Sequence, residues 1–392
     1  MPNLSSQEPL TLTALAALLR SPEAVRLAPD AEQPRAAHPL AEPAADSPAL
    51  EAASLCTALA VGTGPELPAA LVRRMLLLAA HRLGRAGAAA APVVRRLLDF
   101  YNREVWPVVH EQGSLGAGHD QVPLAHLGLP LLGLGEVNYQ GYRLAAADVL
   151  GLFGWEPPQL SPMLALELLS GSDFTLAYAT EALERAEHLL RAAAAISSLA
   201  AMPTDLATGI GQLADVQRVL EAACHADAPT PTSLAELLPP TSAPLPDLDR
   251  ALAQLTQVVA QAAVQSAQRT AALVAVPALL ALPRAAASLV QLLGVAPGGE
   301  LPRPAASGAA AALGARRAVE LAEQLLGLEL LAAAHALGSP TAPDLGPAPS
   351  PALTQAVAAL GEHVTFAAHG RVLAPDLHRA ARFVREHAWA QE

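Results

Sequence analysis

From Asp247 onward the apolar residues fall at alternating four- and three-residue steps: Leu248, Leu252, Leu255, Val259 and Ala262. Only a helix keeps that spacing on one face, and so regular a seam calls for other helices against it. Asp247 stands where it could cap the start. A second long stretch, residues 305–337, carries Leu, Val and Ala on more than one face, so neighbours must enclose it. Shorter helices are expected over 9–20 (starting near Thr11 or Thr13), 50–60, 66–87, 91–105, 172–199, 351–360 and 375–387. Residues 28–50, rich in Pro, Ala and acidic residues, and 227–246, rich in Pro and Thr, read as connectors, and 112–120 as a Gly-rich loop. No segment reads as a strand. The expected class is all-α, a bundle of long, near-antiparallel helices.

Composition supports this and excludes several functions. Apolar types make up 52% of the 392 residues, so the chain can bury a large core. A net charge of −12 argues against a nucleic-acid-binding surface. Every basic side chain is arginine, so a nucleotide loop with its Gly-Lys pair is impossible. Two cysteines, Cys56 and Cys224, are too few and too isolated for a disulfide framework or a zinc site. The apolar stretch 271–283 is well short of the ~20 residues that a membrane span needs, and the N-terminus lacks the features of a signal peptide. A cytoplasmic protein without membrane, metal or cofactor is expected.

The most informative segment is Val108 to Gly135, VVHEQGSLGAGHDQVPLAHLGLPLLGLG. It resembles the signature of the histidine, phenylalanine and tyrosine ammonia-lyases, P-x-Q/E-G-S-V-G-A-S-G-D-L-A-P-L-A-H. Gly113, Ser114, Gly116, Ala117, Asp120, Pro123, Leu124, Ala125 and His126 stand where that pattern has them. The similarity continues through residues 71–105 and 141–160, Arg269-Thr270-Ala271, residues 315–337 and residues 374–384. It implies the aspartase/fumarase-like long-helix fold, with a lyase-like region over 1–200 holding the signature loop (112–126). A shortened central and C-terminal bundle follows over 201–392.

The resemblance also marks what is altered. The family builds its electrophile, a methylidene-imidazolone, from an internal Ala-Ser-Gly whose serine supplies the methylene. Here those positions read Ala117, Gly118 and His119, so there is no hydroxyl to eliminate, and His119 adds bulk where glycine allows close backbone approach. The family's catalytic tyrosine loop has no match, since no tyrosine precedes Tyr101. Its asparagine is replaced by Ser170, and its Q-E-D falls on Pro304, Ala305 and Ala306. Later tyrosine- and asparagine-bearing segments are missing too.

Two readings of the retained loop follow. In one, Asp120, Pro123 and His126 shape a turn and cap the next helix. In the other, His119, Asp120 and His126, flanked by His110 and Glu111, form a new acid/base or metal site, although a seven-residue step from one histidine to the next is not a compact ligand spacing. His363, His369, His378 and His387 read as solvated. Arg316-Arg317 reads as solvated charge or an interface partner. The resemblance implies a homo-oligomer, a tetramer, or a hetero-oligomer with an active lyase, and Leu328 and Leu331 stand mid-helix where such an interface would fall. The leading expectation is a non-catalytic paralogue or a structural or regulatory subunit. The alternative is a repurposed enzyme, or a residual aromatic amino-acid lyase, acting on an aromatic or acyl substrate.

Overall fold

A computed structural model describes residues 2–5, 8–28, 52–114, 120–199, 206–226, 246–274, 279–295, 308–338, 348–364 and 372–389. The chain divides into two compact units. The first comprises Met1–Thr180, Arg218–Asp249 and Ala306–Ala312, and the second Glu181–Gln217, Arg250–Ala305 and Leu313–Glu392. The architecture is predominantly helical, as expected.

In the first unit, α1 (Leu12–Arg20) begins where Thr11, the first of the two threonines expected near its start, accepts a hydrogen bond from the Ala14 amide at 3.1 Å as the N-cap. Helix α2 spans Ala52–Leu59. Helix α3 (Ala69–Gly84) carries the unbroken apolar run Met75 to Ala80, all of it buried, and packs against α4 (Ala91–Asn102). The signature region follows: α5 (Gln121–Gly128) packs against α2 and against α7 (Pro162–Leu169), with α6 (Ala146–Phe153) between them in sequence. Gly128 is needed here, because a Cβ would lie 2.8 Å from Leu168 Cδ2 of α7.

Short strands, which the sequence did not reveal, tie these helices together. They are β1 (Asn3–Leu4) with β2 (Arg26–Leu27), β3 (Thr63–Glu66) with β5 (His110–Gln112), and β4 (Trp106–Pro107) with the hairpin β6 (Glu136–Tyr139) and β7 (Tyr142–Ala145). At two to four residues each they are too short for alternating burial to register as a pattern. The hairpin turns on Gln140 and Gly141, both at positive φ (50° and 81°), which suits a two-residue connection.

The second unit takes most of the long helices. Helix α8 (Asp173–Ile196) contributes its first residues to the first unit and Glu181 onward to the second. Helices α9 (Leu206–His225) and α11 (Leu282–Leu292) go beyond the expected set, although α9 carries a regular seam, Leu213, Val216, Leu220 and Cys224, all buried. Helix α10 (Pro246–Leu273) buries all five seam residues. It starts at Pro246, so Asp247 lies in the first turn and is not the cap; proline's fixed φ already suits the first helical position.

Helix α12 (Gly308–Gly338) is enclosed as its all-round apolarity requires, but by this chain itself: Leu328 and Leu331 are each 3% exposed without a partner subunit. Its Gly327 permits close approach to α14 (Ala374–Glu386), since a Cβ there would sit 2.7 Å from the Ala381 backbone nitrogen. Helix α13 (Pro351–Gly361) completes the order. Arg316 is paired within the chain, to Glu181 at 2.8 Å and Glu320 at 3.2 Å, while Arg317 is exposed. His363 and His378 are exposed; His387 is half-buried, stacked on Phe383 at 4.6 Å, and His369 lies outside the described residues. No described helix is long and apolar enough to cross a membrane.

Candidate functional site

Ala117, Gly118 and His119 lie outside the described residues; what the structure shows is the frame around them. Before them, Gly113 adopts φ 141°, and a Cβ there would fall 2.6 Å from Val122 Cγ1. Ser114 Oγ accepts a hydrogen bond from the Val122 amide at 3.1 Å. Ser114 therefore pins the two ends of the loop together at its neck. Glycine at 113 supplies both the backbone conformation and the space.

After the loop comes Asp120, 1% exposed. It precedes α5 but does not cap it, against the expectation from its position. Its carboxylate instead accepts from the Thr175 amide at 2.7 Å and the Thr175 hydroxyl at 2.8 Å. Thr175 lies in the first turn of α8, whose amides lack partners within the helix, so Asp120 caps a helix distant in sequence. The Asp120 amide completes the clasp by donating to the Gly171 carbonyl at 3.3 Å.

Arg82, from α3, holds the same turn from the other side. Its guanidinium donates to Asp173 Oδ2 at 2.6 Å, to the Glu167 carbonyl at 2.7 Å and to the Leu168 carbonyl at 3.1 Å. Gly171 leaves room for it; any Cβ there would collide with the guanidinium. Ser170, which takes the place of the family asparagine, is 2% exposed. Its hydroxyl donates back to the Glu167 carbonyl at 3.0 Å, so it closes the end of α7.

His126 has other partners. Its Nε2 accepts from the Gly62 amide at 3.0 Å, and its ring meets that of His110 edge-on at 5.3 Å. An acceptor Nε2 requires the proton of the neutral ring on Nδ1. Burial first, and His110 second, hold its pKa below the ordinary histidine value. His110 and Glu111 lie on β5 and not at a helix end. Pro123 is buried within the first turn of α5. Asp120 thus joins Arg82, Asp173 and Thr175, whereas His126 joins His110 and Gly62. Among the described residues no group of three or more His, Cys, Asp or Glu side chains could hold a metal ion.

Sequence reasoning missed Arg82, Asp173 and Thr175. Nothing distinguishes Arg82 from its neighbours Arg73, Arg74 and Arg85, but Gly171-Ser172-Asp173 ahead of a long helical stretch was a helix-start signal.

Burial pushes the Asp120 carboxyl up to about 7, with Asp173 adding to the shift and the Thr175 hydrogen bonds opposing it. The folded chain then holds a proton that the unfolded chain releases near pH 4, so this group's contribution to stability falls as pH rises between about 4 and 7. Asp120→Asn, which cannot ionise, should gain about 2–3 kcal/mol relative to the parent between pH 5 and pH 8. Urea unfolding of both proteins at the two pH values measures this; a difference independent of pH would contradict it.

The fold and this pinned, Gly-rich loop ahead of a short helix define the ammonia-lyase architecture. The chain superposes on histidine ammonia-lyase from Trypanosoma cruzi with a TM-score of 0.77, covering 98% of this chain and 93% of that one at 18% identity. Ergothionase from Treponema denticola gives a TM-score of 0.76, 98% of each chain and 15% identity.

Residues 41–217 match the family model "Aromatic amino acid lyase". Histidine ammonia-lyase from Deinococcus radiodurans is 44% identical over 139 residues, 35% of this chain and 26% of that enzyme. That region of the chain is therefore similar to the aromatic amino acid lyases, and the whole chain carries the fold of the solved ammonia-lyases. The sequence match spans only about a quarter of the Deinococcus enzyme's length.

Proposed function

We propose that this chain is an ammonia-lyase-like protein that does not form the methylidene-imidazolone electrophile and acts as a non-catalytic paralogue, a structural or regulatory subunit. The observation that carries this reading is Gly118 in the position of the cyclising serine. Without a Cβ hydroxyl there is nothing to dehydrate, so the residues present do not fit the prosthetic group and no chemistry is assigned to it.

The frame supports the same reading. Ser170 has its hydroxyl turned onto its own helix, and Asp120 and Arg82 are occupied in holding the turn 167–175. These groups keep a loop in shape and leave none of their described polar contacts to a substrate. Association with itself or with an active lyase is part of the proposal. Its support is the family resemblance, since α12 finds its cover within the chain.

Four measurements on the purified protein test the proposal. Near-ultraviolet absorbance from the prosthetic group should be absent, and the intact mass should match the sequence with no loss of two waters. Histidine, phenylalanine and tyrosine should release no ammonia above background, and Gly118→Ser with His119→Gly should not restore it. Light scattering should find an oligomer, alone or with a co-purified lyase. Turnover by the parent or by the double variant would overturn the non-catalytic reading; a well-behaved monomer that binds no lyase would overturn the subunit role.

A further inference from the structure

Away from the signature loop, two histidines join three pieces of the first unit. His81, near the end of α3, is 1% exposed. Its Nδ1 lies 3.0 Å from the carbonyl oxygen of Ser5, in the N-terminal segment. Its Nε2 lies 3.4 Å from Nδ1 of His225, the last residue of α9, and the two rings stack at 5.4 Å.

The chemistry of these atoms fixes the protons. A carbonyl only accepts, so His81 Nδ1 carries hydrogen. In the neutral ring Nε2 is then a lone pair, and His225 Nδ1 must donate to it. The result is a directed chain from His225 through His81 to the Ser5 backbone. Two flanking bonds secure the same junction: Arg85 donates to the His225 carbonyl at 2.8 Å, and the Leu12 amide donates to Glu221 Oε1 at 2.9 Å.

A second proton on His81 would enter at Nε2, where His225 already points a hydrogen. Among the described residues, the titratable and charged side chains acting on His81 are His225, from α9, and Arg85, just past the end of α3. Both oppose a positive charge there. The N-terminal segment offers the Ser5 carbonyl, which favours charge on the ring, and Glu221 on α9 is turned to the Leu12 amide. Burial is the largest influence, and together these hold His81 down at about 4.

We propose that His81 and His225 form an acid-sensitive latch that clamps the N-terminal segment onto α3 and α9 and frees it, ahead of global unfolding, as pH falls. The segment clamped includes Leu4, Leu10, Leu15 and Leu18, all buried, so its release uncovers apolar surface on the first unit. The linkage sign follows from the geometry. The closed latch excludes the proton and the open one accepts it near the ordinary histidine pKa of about 6.5, so acid favours opening. For one histidine the opening equilibrium rises about tenfold between pH 7.5 and pH 5.5.

Hydrogen exchange of the intact chain, read by mass spectrometry and corrected for the intrinsic pH dependence of exchange, tests this. Protection of peptides from residues 8–20 should fall about tenfold between pH 7.5 and 5.5, while peptides of α12 keep theirs. His81→Gln should abolish that pH dependence, and His225→Gln, at the more exposed position, should reduce it should the first variant fold poorly. Protection of 8–20 unchanged with pH, a fall shared equally by α12, or an undiminished fall in the variants that fold would each overturn the latch.

Discussion

Glu329→Ala should cost about 3–5 kcal/mol of stability, and Arg269→Met a similar amount. Arg269 and Glu329, from α10 and α12, have side chains that are 0% exposed. The guanidinium meets the carboxylate through two parallel bonds, Nε to Oε1 and Nη2 to Oε2, the latter at 3.0 Å. Burial pushes the Glu329 carboxyl up and Arg269 opposes the shift, so the charge survives only beside its partner. Removing either side chain strands the other where water cannot reach it. Removing both replaces two charges by apolar volume, which is often neutral or stabilising. Arg269→Met with Glu329→Leu should therefore recover most of the loss from either single change. Denaturant unfolding of the four proteins gives the coupling directly. Single variants within about 1 kcal/mol of the parent, or a double variant that loses the sum of both, would show that the pair does not act as a unit.

Arg82→Met is the second large effect expected, again about 3–5 kcal/mol. It leaves the Asp173 carboxylate buried without its cation and two carbonyls, of Glu167 and Leu168, without their donor. Unlike the first case, no single second change repairs it, because the arginine serves three acceptors. Arg82→Met with Asp173→Asn should stay well below the parent, since the carbonyls remain unsatisfied. Exchange should quicken first over residues 167–175 and at the neck of the loop, through the Asp120 bonds to Thr175 and Gly171. Near-parent stability of Arg82→Met would mean that another group or water takes over these acceptors.

These two clusters illustrate what was and was not legible. Arg269 was singled out within Arg269-Thr270-Ala271 by resemblance, but Glu329 hides within an apolar run that hydrophobic spacing alone reads as helix interior. Asp120 is visible as chemistry-bearing, and sequence offers it either to the helix it precedes or to a site with the nearby histidines, because capping and ligand spacing are judged from adjacent positions. Its partner stands 55 residues on, and no local pattern encodes that. The pairing of His81 with His225, 144 residues apart, is illegible in the sequence for the same reason.

By itself the sequence determined the helical class, the seam of α10, the start of α1, the signature frame and the absence of a serine at 118, because each depends on residue type at short spacing. Tertiary structure alone decided which helix Asp120 caps, which arginine holds the turn beside Ser170, and that α12 is enclosed without a second subunit. Short strands, buried ion pairs and the histidine junction belong with these. Their energies arise from desolvation and from partners met only when distant segments pack, and a one-dimensional pattern carries neither.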